Sequence, residues 1–429
     1  MSPARLASLT VGKYLVLNQS SWEIQRSITQ LIDVICASTY NLDTDVVIIG
    51  AGPTGLSMAH VLAQAGIRVA LLERQSREAL ANVVFDGRDI ALTHESRRLM
   101  TAWGLWDHIP SEEISDLRHA RVFDGSSVHS MDVRAEFGGK SQLGWMVSNH
   151  LIRQAAYANI VGNDAIRLLD EVKVEHVATD DRGCTVRLAD GRIMSGKLLI
   201  AADSRFSETR RALGIPARMK DYGKSMMVFR VQLDVPHDHI AWEWFGYGQT
   251  RALLPLNGNQ ASVVLTLPHS QMQRLQTLDN DALDREIERR FEHRLGAMKR
   301  CSVTTVYPLV GVYSASFHAR RFALIGDAAV GMHPVTAHGF NLGLVSVKLL
   351  SERLIAAHRA GQNFAAPSLL ESHTRAHRRV SLPLYAATNL VVSLYTNDHG
   401  PARVLRGAAL RAANAFAPFK RMIASQITG

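Results

Sequence analysis

The stretch DVVIIGAGPTGLSMAHVLAQAGIRVALLER, residues 45–74, decides the fold. Asp45 to Ile49 is a short apolar run of the kind a buried parallel strand needs. Gly50, Gly52 and Gly55 follow as G-x-G-x-x-G, with Pro53 and Thr54 between them. The first glycine allows a tight turn, the second lets backbone approach a pyrophosphate, and the third lets a helix pack close to the sheet. Bare N–H groups and the positive dipole end of that helix face the phosphates. Gly66 closes the helix and residues 68–72 form a second strand. Glu73, 23 positions after Gly50, stands where a carboxylate accepts hydrogen bonds from ribose hydroxyls, and Arg74 is beside it. Strand, turn, helix and acid together define a dinucleotide site.

Outward from that unit, 429 residues are enough for two or three domains. Hydrophobic residues make up 47% and charged residues 20%, a globular rather than disordered balance. The net charge of +9 favours an acidic partner surface without choosing between lipid, nucleic acid and an anionic cofactor. Cys36, Cys184 and Cys301 lie far apart, so no disulfide framework is expected, and a reducing, cytoplasmic setting is. No apolar stretch reaches the ~18–20 residues of a membrane span. There is no signal-peptide layout.

Residues 1–40 form an extension whose Ile24, Ile28, Leu31, Ile32 and Ile35 share one helical face. Helix is expected around Leu99 to Trp103, from Trp145 to Ala158, from Asp281 to Leu295, and from Gly339 onward through residues 345–360. Residues 118–137 alternate like strands, 165–202 read as a β-meander, and 214–305 hold further strands. The fold class expected is α/β, a Rossmann-like cofactor domain interrupted by a mixed β-sheet substrate domain, with a helical C-terminal segment. The boundaries are 41–118, 144–213 and 306–375 for the cofactor domain, 119–143 and 214–305 for the substrate sheet, and 376–429 for the basic C-terminal helices.

Two more stretches carry chemistry. In residues 320–344, RRFALIGDAAVGMHPVTAHGFNLGL, Asp327 ends a strand and can bond a sugar-like hydroxyl chain. Pro334 fixes a turn, and Gly339, Phe340 and Asn341 open a helix whose N–H groups suit a negatively charged ring edge. In residues 198–210, LLIAADSRFSETR, a strand ends at Asp203, with Ser207 and Arg210 following at helical spacing. Arg210 is read as meeting a phosphate or a reductant.

These three motifs, in this order, resemble the FAD-dependent aromatic hydroxylases of the para-hydroxybenzoate hydroxylase superfamily. They are most similar to the ubiquinone-biosynthesis ring hydroxylases, the UbiH, UbiF, UbiI and UbiM group; the run TAHGFN is most like the UbiM branch, 5-demethoxyubiquinol hydroxylases. The resemblance implies FAD, with Gly50, Gly52, Pro53, Thr54, Gly55, Glu73 and Arg74 around its ADP part. Arg88 and Arg153 would flank it, and Asp203 and Asp327 would serve its pyrophosphate and ribityl groups. Pro334, Gly339, Phe340 and Asn341 would line the isoalloxazine. It also implies NAD(P)H or another electron donor, O2, and hydroxylation of a polyprenylated phenol or quinol by a flavin C4a-hydroperoxide. A flavin-dependent prenyl-chain reductase and a non-catalytic scaffold of a quinone-synthesis complex remain open. Ser204 departs from the family's D-G, which puts close backbone approach there in doubt. Ser148 replaces a usual Glu, and His338 a common Gln.

His333, before Pro334, is the candidate for assisting phenol deprotonation, since imidazole titrates near ~6.5; His338 is read as a relay or a positioning group. Trp242, Trp244, Phe245, Leu253 and Pro255 are candidates for contacting a prenylated ring. No metal motif is found, nor any nucleic-acid motif. Arg403, Arg406, Arg411, Lys420 and Arg421, interleaved with apolar residues, fit an interfacial helix on anionic lipid, placing the protein peripherally on the inner membrane.

Overall fold

The computed structural model describes residues 44–125, 130–246, 248–336 and 338–396. The chain opens on β1 (Thr44–Ile49), α1 (Pro53–Gln64) and β2 (Val69–Leu72). After a small-sheet region come α2 (Asn149–Ala158), β3 (Ile166–Leu169) and β4 (Ile193–Ala201). The long strand β5 (Ala217–Leu233) starts a second sheet, continued by β6 (Ile240–Gly246), β7 (Gln249–Pro255), β8 (Gln260–Pro268) and β9 (Thr305–Ser314). The chain then returns through β10 (Phe322–Leu324) to α3 (Gly339–Arg359) and α4 (Pro367–Thr396).

The first sheet runs His318–Ala319, β10, β4, β1, β2, β3, parallel throughout except for the two-residue edge strand, which is antiparallel to β10. All six residues of β1 and all four of β2 are buried. That is why they read as unbroken apolar runs rather than alternating ones. The hairpin Val174–Thr179 and Cys184–Leu188 pairs antiparallel with the first half of β4. The second sheet has nine strands and is mostly antiparallel, except that β6 lies parallel to His119–Asp124. A third, three-stranded sheet of Asp89–Leu92, Gly144–Ser148 and Ser115–Leu117 lies at the junction.

Several local expectations change. The helix read from Trp145 starts at Asn149, because Gly144–Ser148 pairs on both sides in the small sheet and is wholly buried. Ile166–Leu169 is no part of a meander; it runs parallel beside β2. The helix read at 281–295 spans Asn280–Arg290, and a separate one covers His269–Gln276. The strand β9 begins at Thr305 and pairs with β5, so the nine-stranded sheet takes residues that the sequence reading gave to the cofactor segments. Both the N-terminal extension and the basic run after Arg403 lie outside the described residues. Among those described, no helix is long and apolar enough to cross a membrane.

The helix α4 packs on α3 and on the edge of the parallel sheet. His373 and His377, one turn apart on α4, are 0% and 1% exposed, and His377 meets the ring of Phe317 at 4.9 Å. Burial pushes these imidazoles down, to about 4 for His373 and about 3 for His377. Both are neutral in the folded chain. Unfolding exposes them to water, where they protonate below their ordinary value near ~6.5. Stability is therefore complete above that value and falls as the pH drops towards 4 and 3, by on the order of several kcal/mol. Thermal melts between pH 7 and 4 should show this loss, and His377→Leu should flatten it.

Candidate active site

A cavity of about 790 Å³ opens at the carboxyl ends of the parallel strands and continues across one face of the nine-stranded sheet. This is where ligands sit in open α/β sheets. The turn after β1 supplies Gly50, Ala51 and Gly52, and the start of α1 supplies Pro53 and Thr54. Gly50 takes φ +104, and a Cβ there would lie 2.6 Å from the Ala202 carbonyl oxygen. A Cβ on Gly55 would lie 2.0 Å from the Gly50 carbonyl oxygen, so α1 docks directly on the turn. Gly52 differs from both: nothing lies within 4 Å of its would-be Cβ. Its backbone borders the cavity and leaves room for a ligand to approach. Gly52 caps α1 without a side-chain bond, leaving the first N–H groups for an anion.

Glu73 is fixed by three backbone donors: Ala51 N–H at 2.7 Å, Arg74 N–H at 2.8 Å and Gln75 N–H at 2.9 Å. Arg74 pairs with Glu208, and Arg153 donates to Gln75 Oε1 at 2.8 Å. Arg88 pairs with Asp86, and its guanidinium lies over the Tyr307 ring at 5.1 Å. Burial is the largest influence on Arg88 and opposes its charge, but the hydrogen bond to Asp86 and the nearby charges of Asp86, Tyr307 and Asp327 together outweigh it and raise the pKa. The Tyr307 hydroxyl donates to the Asp86 carbonyl oxygen at 2.9 Å, and Arg230 on β5 pairs with Asp89 at 2.6 Å. These contacts join the small sheet to the nine-stranded one.

Asp203 accepts from Thr209 N–H through Oδ2 at 3.1 Å, while its buried Oδ1 has no partner. Such an acceptor bordering a cavity fits a ligand hydroxyl. Asp327 pairs with Arg205 at 3.0 Å. Thr54 is wedged between two glycines: a Cβ on Gly326 would lie 3.1 Å from its Cγ2, and one on Gly343 3.0 Å from its Oγ1. Ser204 occupies the left-handed region at φ +76. The chain therefore keeps the backbone shape a glycine would give, with strain in place of the glycine.

Of the residues singled out from sequence, Gly50, Gly52, Pro53, Thr54, Glu73, Arg74, Arg88, Arg153, Asp203, Asp327, His333, Pro334, Gly339 and Phe340 all border this one cavity. Gly55, His338 and Asn341 do not. Gly55 is covered by its contact with Gly50. The side chain of Asn341 donates to Ala91 O at 2.9 Å and accepts from Thr93 N–H at 3.1 Å, pinning the start of α3 to the small sheet. His338 caps α3 with its backbone, accepting from Leu342 N–H at 2.8 Å. Arg210 is 2% exposed and donates to Ala328 O at 3.0 Å, which removes it as a phosphate or reductant contact. Trp244 and Leu253 are buried in the core on the far side of the sheet, with Trp242 packed against them. The cavity face is instead Met226, Val228, Glu243, Thr250, Ala252 and Val264. Strand alternation puts Trp242, Trp244 and Leu253 on the face opposite to Glu243 and Ala252.

His333 is 5% exposed, and burial with the nearby Lys224 and Lys220 pushes it down to about 4. Its Nδ1 accepts from Val335 N–H at 3.2 Å, and Tyr222 packs edge-on at 4.7 Å. The neutral ring therefore carries its hydrogen on Nε2 and acts as a donor. It is not poised as a base near neutral pH, which corrects the role read from sequence. Sequence reasoning missed Arg205, Tyr307 and Glu243. For the last there was a signal, an acid flanked by tryptophans in an apolar strand.

A parallel sheet with a glycine turn, a carboxylate held at the cavity edge and an adjoining apolar sheet face defines a flavoprotein of the aromatic-hydroxylase fold. The FAD binding domain model matches residues 43–385. Ubiquinone hydroxylase UbiM of Neisseria meningitidis is 41% identical over 98% of this chain and 92% of its own. UbiL of Rhodospirillum rubrum, another ubiquinone hydroxylase, is 33% identical over 90% of this chain and 89% of its own. Among solved structures, p-nitrophenol 4-monooxygenase PnpA of Pseudomonas putida superposes with a TM-score of 0.73 at 19% identity, covering 89% of this chain and 97% of that one. The chain belongs to the FAD-binding family that contains these ubiquinone hydroxylases. It is an FAD-dependent monooxygenase, and NAD(P)H is the electron donor typical of that family.

Ser204→Gly relieves the φ +76 strain and should raise stability by about 1 kcal/mol, read as a higher Tm.

Proposed function

We propose that this enzyme hydroxylates the aromatic ring of a polyprenylated phenol or quinol in ubiquinone synthesis, with 5-demethoxyubiquinol as the leading substrate. The observation that carries the reading is the continuity of one cavity from Glu73 to the apolar face bearing Met226, Val228 and Val264. Such a cavity accepts a cofactor at one end and a greasy ring at the other.

On this reading Gly50, Gly52, Pro53 and Thr54 hold the pyrophosphate and Glu73 the ribose. Arg74, Arg88 and Arg153 balance anionic charge. Asp203 accepts from a cofactor hydroxyl, and Asp327 holds the ribityl chain. Pro334, Gly339 and Phe340 border the ring system, while Gly55, Asn341 and His338 shape the helix starts. Bound FAD supplies the activation of O2. The chain orients the substrate ring, keeps water out with its apolar face, and offers His333 Nε2–H as a hydrogen-bond donor. The cofactor segments are 41–118, 144–213 and 315–375. The substrate segments are 119–143 and 214–314, with β9 placed in its sheet.

We also propose peripheral contact with the inner membrane, where such substrates dissolve, and association with other enzymes of quinone synthesis. Leu382 and Leu390, eight residues apart and so towards one side of α4, are 52% and 60% exposed, which supports an apolar docking side.

Gly52→Val puts a side chain into the cofactor space while meeting no protein atom within 4 Å. The variant should purify colourless with an unchanged far-UV spectrum; retained yellow flavin contradicts the placement of the pyrophosphate. Turnover under ¹⁸O2 should give a singly labelled ring product. An unlabelled product would point to prenyl-chain reduction instead.

A further inference from the structure

Among the described strand residues of the nine-stranded sheet that border the cavity, Glu243 is the one ionisable side chain. Directly across from it are Val122 on the parallel neighbour and Ala252 on β7, with Val264 one strand further. The flanking cavity residue Thr250 is uncharged. By register the nearest charged side chains are Arg121 and Arg251, opposite Trp242 and Trp244 and so on the other face, while Asp124, opposite Phe245, is the nearest on the face of Glu243. The helix α4 also packs against β6. Between Arg379 and Thr396 that helix carries no Asp, Glu, Lys, Arg or His, and its titratable residues there are Tyr385 and Tyr395. Among the described residues, Glu243 has neither an ion pair nor a hydrogen bond. Yet its carboxyl is not sealed off, because the side chain is half-buried and borders the cavity.

An unpartnered carboxyl in an apolar sheet contributes nothing to packing that leucine would not do better. Its partner is therefore to be sought in the ligand. We propose that Glu243 reads an oxygen on the substrate ring, its carbonyl oxygen accepting from a ring hydroxyl and its O–H donating to the same or the adjacent ring oxygen. Burial pushes this carboxyl up to about 8, so it holds its proton at neutral pH and offers both a donor and an acceptor. Every other side chain of this sheet that borders the cavity bears a methyl group. Glu243 thus gives the face its orientation: the oxygen-bearing edge of the ring goes towards β6, and the rest lies on Met226, Val228 and Val264. This inference rests on the ring-substrate reading above and specifies how the ring is held.

The test is calorimetric titration of the flavin-loaded enzyme with 2-prenylphenol and with its methyl ether. Only the phenol satisfies both halves of the carboxyl, so at pH 7 the wild-type enzyme should bind it about tenfold more tightly than the ether. Glu243→Leu should abolish that preference, and Glu243→Gln, which keeps a donor and an acceptor, should retain it. Raising the pH from 7 to 9.5 removes the carboxyl proton and its donation. Wild type should then lose about tenfold in ether affinity, while Glu243→Gln should not change. Equal binding of both probes by wild type overturns the assignment and leaves the ring-substrate reading standing. An undiminished phenol preference in Glu243→Leu overturns it likewise. Binding of neither probe overturns both readings. If the leucine variant fails to hold flavin, the pH arm with the glutamine variant decides alone: a parallel alkaline loss in both proteins refutes the role of Glu243.

Discussion

The close seat of α1 on the turn after β1 is the constraint on which the other parts depend. With 2.0 Å between a would-be Gly55 Cβ and the Gly50 carbonyl oxygen, no side chain fits. The helix start is therefore held against the sheet, and its free N–H groups sit at the mouth of the cavity. Glu73 is drawn into the same assembly, because Ala51 N–H, in the middle of the turn, is one of its three donors. The start of α1 and the Glu73 carboxylate are thus set by one compact backbone arrangement.

The second sheet is tied to the first by polar contacts whose partners come from distant parts of the chain. The Asp89 side chain is fully buried and is met by Arg230 of β5, while Tyr307 of β9 reaches the Asp86 carbonyl. Losing one member of such a pair leaves a buried charge uncompensated, at a cost of roughly 3–5 kcal/mol. These links hold the apolar face opposite the cofactor end. Several other polar groups near the cavity are kept neutral or paired: His333 by burial, Arg205 by Asp327 and Arg88 by Asp86. Positioning and exclusion of water dominate, as suits a reaction whose difficult chemistry belongs to a cofactor.

The glycine turn and its surroundings were legible in the sequence because their signals are local. Gly50, Gly55 and Glu73 take their positions from neighbours within one strand-turn-helix-strand unit, and Asp327 from the strand just before it. What stayed hidden depends on register between distant segments. Whether Trp244 or Glu243 faces the ligand turns on a single-residue choice of face that only the paired sheet fixes. The strand Gly144–Ser148 looked helical because its apolar run leads straight into a helix, and its pairing partners lie 30 to 60 residues upstream. Asn341 sits in a motif that invites a ligand role, yet its amide goes to Ala91 and Thr93, about 250 positions away. The lowered proton affinity of His333 needed knowledge of what surrounds it, which composition does not contain.

Thr54 has a mechanical meaning beyond its contacts. Its side chain fills the gap between the turn at Gly326 and the start of α3 at Gly343, with would-be Cβ clearances of 3.1 and 3.0 Å. Thr54 and Gly343 are 289 positions apart in the chain, and positional error accumulated over such a path would be large. One side chain used as a shared reference point removes that accumulation. The two helix starts that border the cavity are gauged from the same datum, so the spacing between them has almost no tolerance.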